Sequence, residues 1–273
     1  MRNLREALGV SFRLAGTPAR LAFAAVALGC ALAVPRILSA DAWAYAAYGA
    51  LLAHGADPWS HSYSLATVAQ FHDPLLDAAV RAWDGSLPRD AYGPLFTIPV
   101  AGIVVAARPL GPAGIVFLLR VLAAVGLLGC IALAAGMRPR LASLLAFHPV
   151  VLWGAAEGHN DVFLLALVLL AARGRTAPVR LAALVAAAAV KAVAVVPLAA
   201  ALSKMPSPRR IASSAVAAAV LVTAYTPLAW SVMAHGLDQS IGPPRVSLVH
   251  ATALSAWSGS PVPLGIGLVI GPV

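Results

Sequence analysis

Apolar residues in this chain fall in long blocks separated by short polar stretches, where a soluble core would show stripes of period 3.6 or 2. The first block covers roughly residues 18–38. Later blocks cover about 94–107, 112–135, 141–156, 161–172, 181–202 and 211–232, and a last one, 262–273, runs to the C-terminus. Backbone groups in lipid must be satisfied within the segment, so helices are the expected form. The short alternating stretches of a barrel are not evident. The blocks therefore predict an all-α fold, a polytopic transmembrane helix bundle of about 7–8 membrane segments, since each span takes about 20 residues. The expectation is one membrane domain over 1–273 with its C-terminal span incomplete.

Two polar stretches interrupt the blocks. In the first, 41–92, residues 43–54 read as a short helix ended by Gly55, with Asp57 and Pro58 as a turn. The second, 233–260, carries His235, Pro243, Pro244, Arg245 and His250, and could close over a site.

Composition agrees with the pattern. Hydrophobic residues make up 61% and charged residues 11%, against roughly 25% charged in a soluble domain. The mean hydropathy is +0.87. A net charge of +9 would suggest nucleic acid in a soluble protein. Here short cytoplasmic loops rich in Arg and Lys account for it, so no nucleic-acid partner is expected. Cys30 and Cys130 both lie in apolar blocks, as small core residues, and imply neither a disulfide framework nor a metal site. The basic start, Arg2, Arg5, Arg13 and Arg20 against Glu6, lacks a clear cleavage site and predicts an uncleaved first helix with a cytoplasmic N-terminus.

Charge also divides the chain. Residues 41–90 hold six of the eight aspartates (Asp41, Asp57, Asp73, Asp77, Asp84 and Asp90) against Arg81 and Arg89. That leaves −4 there and, from the total of +9, puts +13 on the rest. The acidic stretch is thus expected outside the cell membrane. The loops at Arg138/Arg140, Arg173/Arg175/Arg180 and Lys204/Arg209/Arg210 all ask to be cytoplasmic. Simple alternation cannot satisfy all three. The pattern is met if 94–110 and part of 181–202 do not fully cross, which puts 157–161 on the side of the acidic stretch.

Four elements could carry chemistry. Asp41 stands where the first block meets the acidic stretch, followed by Tyr45 and Tyr48. A carboxylate there can act as general base for a hydroxyl or simply cap the next helix. Glu157-Gly-His159-Asn160-Asp161 places four polar side chains in five positions between apolar blocks. A cap needs only one, and ionisable groups at span edges usually mark a site. Its spacing could suit a metal, but no second ligand cluster is evident, and no metal ligand is assigned. Tyr92-Gly-Pro-Leu-Phe96 could be an interfacial anchor. Lys191, within an Ala/Val run, either snorkels or offers a positive charge to an anionic ligand.

Asp41 with Tyr45 and Tyr48, then Gly55-Ala-Asp-Pro-Trp59, Tyr92-Gly-Pro-Leu-Phe96, His148-Pro149, Glu157-Gly-His-Asn-Asp161 and Lys191 follow the order of GT-C glycosyltransferases. Over about residues 15–205 the chain resembles the actinobacterial polyprenyl-phosphate-mannose-dependent mannosyltransferases. The resemblance implies a membrane enzyme using a polyprenyl-phosphate sugar on the outer face, with a lipid or polysaccharide acceptor, no cofactor, and membrane lipids around it. It implies Asp41 as catalytic base and Glu157, His159 and Asp161 as lining of the substrate cavity. Tyr45, Tyr92, Asn160, Lys191 and Arg245 complete the candidate substrate-binding set. Such enzymes usually have more spans, and the chain has Asp57-Pro-Trp59 where an Asn-Pro-Tyr segment is usual.

The expected chemistry is inverting glycosyl transfer. Asp41 takes the acceptor proton, and His159, Lys191 and Arg245 stabilise the leaving phosphate. The rival readings are a multi-span transporter or lipid-handling protein, and a truncated non-catalytic subunit. Transporters commonly show internal repeats, and none is evident.

Overall fold

The structure, a computed structural model, describes residues 16–34 and 39–225. The basic stretch before Gly16, the polar stretch 233–260 with Arg245, and the block 262–273 lie outside the described residues.

The described chain is helical apart from one short hairpin. Helix α1 is Thr17–Leu32 and α2 is Asp41–Ala53. The acidic stretch continues through β1 (Tyr63–Ser64), α3 (Leu65–Val68), α4 (Pro74–Ala82) and β2 (Ser86–Leu87). The strands pair antiparallel, Tyr63 opposite Leu87. Then come α5 (Pro94–Ala106), α6 (Gly111–Ala135), α7 (Pro139–Phe147), α8 (Pro149–Ala156), α9 (Asp161–Arg173), α10 (Ala177–Val190), α11 (Val195–Ser203) and α12 (Ser207–Tyr225).

Three buried clusters build the core. The first joins α2, α4, α5 and the N-terminal half of α6. The second joins α1, the C-terminal half of α6, and α7 to α9. The third joins α9 to α12. Helix α6 runs through the first two and ties them together. Helix α2 is rich in alanine and aromatic residues, and apart from Trp43 it is buried from Ala42 to Leu51. It lies so close to α5 that a Cβ on Gly49 would stand 2.9 Å from Val100 Cγ1 and 3.0 Å from the Ala101 nitrogen.

Among the described residues, one helix is long and apolar enough to cross a membrane, Arg108–Ala135, which includes a 3-10 turn before α6. The pair α8 and α9 qualifies together but is bent by 117°. The expected bundle of about 7–8 crossing segments is thus reduced to the coarser finding of a mostly helical fold. The block 141–156 is two helices, because Pro149 lacks an N–H and forces His148 out of helical geometry, to φ −82° and ψ 115°. The block 181–202 breaks at Lys191, whose backbone is extended at φ −151° and ψ 126°.

Arginines gather away from these breaks. Arg173 reaches over Gly136, and the side chain of Arg180 packs on Gly174. The turns at 136–140 and 173–180 therefore adjoin, one helix length of α9, about 20 Å, from residue 161.

Candidate functional site at three helix breaks

Three interruptions meet where the first two core clusters join. The first is the passage from α1 to α2. Asp41 begins α2, but the helix has no side-chain cap at Ala40. The capping role considered for Asp41 is therefore not the one it plays. Instead its own N–H donates to Ser39 Oγ at 3.0 Å, and its carboxylate faces another segment. His159 Nδ1 lies 3.1 Å from Asp41 Oδ2, and both side chains remain partly open, at 29% and 24% exposure.

The second interruption, between α8 and α9, carries His159. Gly158 has φ +90°, a conformation that favours glycine. A Cβ there would stand 3.1 Å from the Ala42 Cβ and 3.3 Å from Arg120 Cγ. Its small size lets the turn lie against the start of α2. Helix α9 likewise has no side-chain cap, so neither Asn160 nor Asp161 serves as one.

The third interruption is Lys191. Its Nζ donates to Asp161 Oδ1 at 2.8 Å and sits 5.7 Å from the centre of the Tyr92 ring. The Gly93 N–H bonds the Val190 carbonyl at 2.9 Å, which fastens the start of α5 beside the break. The Tyr45 hydroxyl donates to the Tyr92 hydroxyl at 3.4 Å, and the two rings meet edge to face at 5.0 Å. Burial above all, with the Asp41 carboxylate adding to it, pushes the Tyr92 phenol well up, and burial does the same for Tyr45. Both are neutral hydroxyls at physiological pH.

Asp41, Tyr45, Tyr92, His159, Asp161 and Lys191 are thus one linked group. Glu157 and Asn160 lie behind it, only 3% and 1% exposed. Glu157 Oε2 accepts the Ser39 N–H at 3.3 Å. Neither polar atom of the Asn160 side chain has a partner among the described residues. Arg245 lies outside the described residues.

Three other aspartates of the acidic stretch bond its backbone. Asp57 accepts the Trp59 N–H. Asp73 caps α4 through the Leu75 N–H and pairs with His54. Asp90 is fully buried and accepts from Thr97 Oγ1 at 2.6 Å and the Tyr92 N–H at 2.8 Å. The aromatic residues pin this stretch down. The Trp83 indole donates to the Ala40 carbonyl, the Trp59 indole to the Tyr92 carbonyl, and the Tyr48 hydroxyl to the Pro88 carbonyl.

Sequence reasoning missed Arg120. It is 6% exposed, and its guanidinium donates to the Ala156 carbonyl at 2.7 Å, Val34 at 2.8 Å and Ala31 at 3.3 Å. The available signal was an ionisable residue well inside the longest described helix, an apolar one, a placement that is costly without a purpose.

An apolar helical fold, with carboxylates, a histidine and a lysine gathered at breaks between its helices, belongs to the class of membrane-associated proteins with a polar inter-helix site. Residues 3–207 match the family described as alpha-(1->6)-mannopyranosyltransferase, N-terminal domain, and the chain belongs to that family. It is a glycosyltransferase of the mannosyltransferase kind, for which a sugar donor and a glycan acceptor follow in general terms. No curated protein and no solved structure matches the chain.

Proposed function

We propose that the chain transfers mannose from a polyprenyl-phosphate donor to a lipid or glycan acceptor at the outer face of the cell membrane, which it spans several times. The observation that carries this reading is the Asp41–His159 pair, 3.1 Å apart and partly open, with Lys191 tied to the same turn through Asp161. Asp41 is the general base. It takes the proton of the acceptor hydroxyl as that oxygen bonds the anomeric carbon. The bond from that carbon to the phosphate oxygen breaks with inversion, and the polyprenyl phosphate departs with the electron pair. His159 orients the Asp41 carboxylate by donating from Nδ1. Lys191, at the start of the helical turn that follows its break, meets the phosphate. An ammonium and a helix start both favour negative charge. In a water-poor cavity such preorganised charge is a large contribution to catalysis.

The donor is tested with purified protein in nanodiscs, offered mannose radiolabelled either on polyprenyl phosphate or on a nucleoside diphosphate. Label moving to the acceptor only from the lipid donor is expected. Transfer from the nucleotide sugar alone would overturn the lipid-donor assignment.

A further inference from the structure

We infer that Arg120, Glu157 and Ser39 form a positioning assembly that holds Asp41 in register with His159, and that Glu157 does not touch substrate. This deepens the proposed function and rests on Asp41 being its base.

Asp41, the first residue of α2, is the residue that must be placed to within a fraction of an ångström. Three sets of bonds converge on it. Arg120 holds the carbonyls of Ala31 and Val34 at the end of α1, and with the same guanidinium the Ala156 carbonyl at the end of α8. The planar fork of Arg suits such a role, since several donors keep a fixed relation to one another. The next residue after Ala156 is Glu157, whose charge acts on Arg120. Its Oε2 accepts the Ser39 N–H, and Ser39 Oγ accepts the Asp41 N–H. A continuous path therefore runs from mid-α6 through the α8–α9 turn to the backbone of Asp41.

The same turn carries His159 two residues beyond Glu157. One guanidinium thus sets both halves of the Asp41–His159 pair. Glu157 is 3% exposed, against 24% for the Asp41 side chain. A group so covered is placed to hold the main chain, and the sugar meets the open pair in front of it.

A positioning role separates kcat from KM. Misplacing reacting groups by about 1 Å costs about 100-fold in rate with little change in binding. Steady-state transfer is measured for wild type, Arg120→Lys, Glu157→Ala and Glu157→Gln in nanodiscs, with thermal midpoints recorded alongside. Glu157→Ala is expected to lower kcat about 10–100-fold with KM within about threefold of wild type. Glu157→Gln keeps an oxygen for the Ser39 N–H and is expected to recover kcat to within about fivefold of wild type. Arg120→Lys keeps the charge but loses the fork, and kcat should fall about tenfold at steady KM. A KM raised tenfold or more at unchanged kcat in Glu157→Ala would make Glu157 a substrate contact and overturn the inference. So would wild-type kcat in both Glu157→Ala and Arg120→Lys. If Arg120→Lys does not fold, the two Glu157 variants decide. A wild-type protein that transfers nothing sinks the function reading itself, which is a distinct result.

Discussion

Gly158 is the residue on which the site's assembly turns, because its positive φ and its contact with Ala42 are both closed to a side chain. Gly158→Ala should cost about 1–3 kcal/mol from backbone strain, lowering the thermal midpoint in detergent and transfer activity together. A variant unchanged in both would show that the turn does not need to lie against α2. Asn160 predicts the opposite balance. Its amide makes no bond among the described residues, so Asn160→Leu should leave the thermal midpoint level or raised, since an unpaired buried amide carries a penalty of about 1–3 kcal/mol. A clearly lowered midpoint would show that the amide is bonded after all. Asp90 supplies a pH dependence. Burial pushes its carboxyl up from 3.8 to about 7, with the Thr97 and Tyr92 hydrogen bonds pulling the other way. Between these values the folded chain holds a proton that the unfolded chain has released. Stability is therefore full at the acid end and falls as pH rises through about 7. Thermal midpoints at pH 5 and pH 8 should show this decline in wild type, and Asp90→Asn should flatten it.

At the scale of elements, helix breaks place the chemistry, and the sequence showed their ends better than their interiors. The block expected at 112–135 is α6, Gly111–Ala135, and that at 161–172 is α9, Asp161–Arg173. Gly111, Pro112 and the arginines mark those ends in ways that a linear reading can use. The break at His148 was marked in the sequence by Pro149, whereas that at Lys191 falls inside an Ala/Val run with no proline or glycine to mark it. Pairing across the breaks was likewise out of reach, since spacing along the chain does not say that Asp41 meets His159. Asp41 and the turn at Asp57 were singled out in the sequence, and only the fold shows that Asp73 caps a helix and that Asp90 is buried. Arg120 escaped because a single positive charge in a long apolar run resembles a snorkelling side chain. The close packing of α2 on α5 gives an element-scale prediction. Gly49→Ala places a methyl against backbone at 3.0 Å and should cost about 1–3 kcal/mol by overpacking, read as a lower thermal midpoint. An unchanged midpoint would mean that the two helices separate freely.

For the whole molecule, the arrangement has two ends. Carboxylates and the candidate site occupy one, and the adjoining arginine turns occupy the other, about 20 Å away along α9. A charge division of this kind matches a protein with its arginines facing the cytoplasm. In a variant with Cys30 and Cys130 replaced by alanine, Ser60→Cys should react with a membrane-impermeant maleimide on intact cells. Arg175→Cys should react only after permeabilisation, and the reverse pattern would invert the sidedness. The central claim is that Asp41 is the base of a mannosyl transfer. The direct measurement is label transfer from radiolabelled polyprenyl-phosphate mannose by wild type and Asp41→Asn at equal protein level. The account predicts robust transfer by wild type and a loss of about 100- to 10,000-fold in Asp41→Asn. Transfer by Asp41→Asn at the wild-type rate would contradict it.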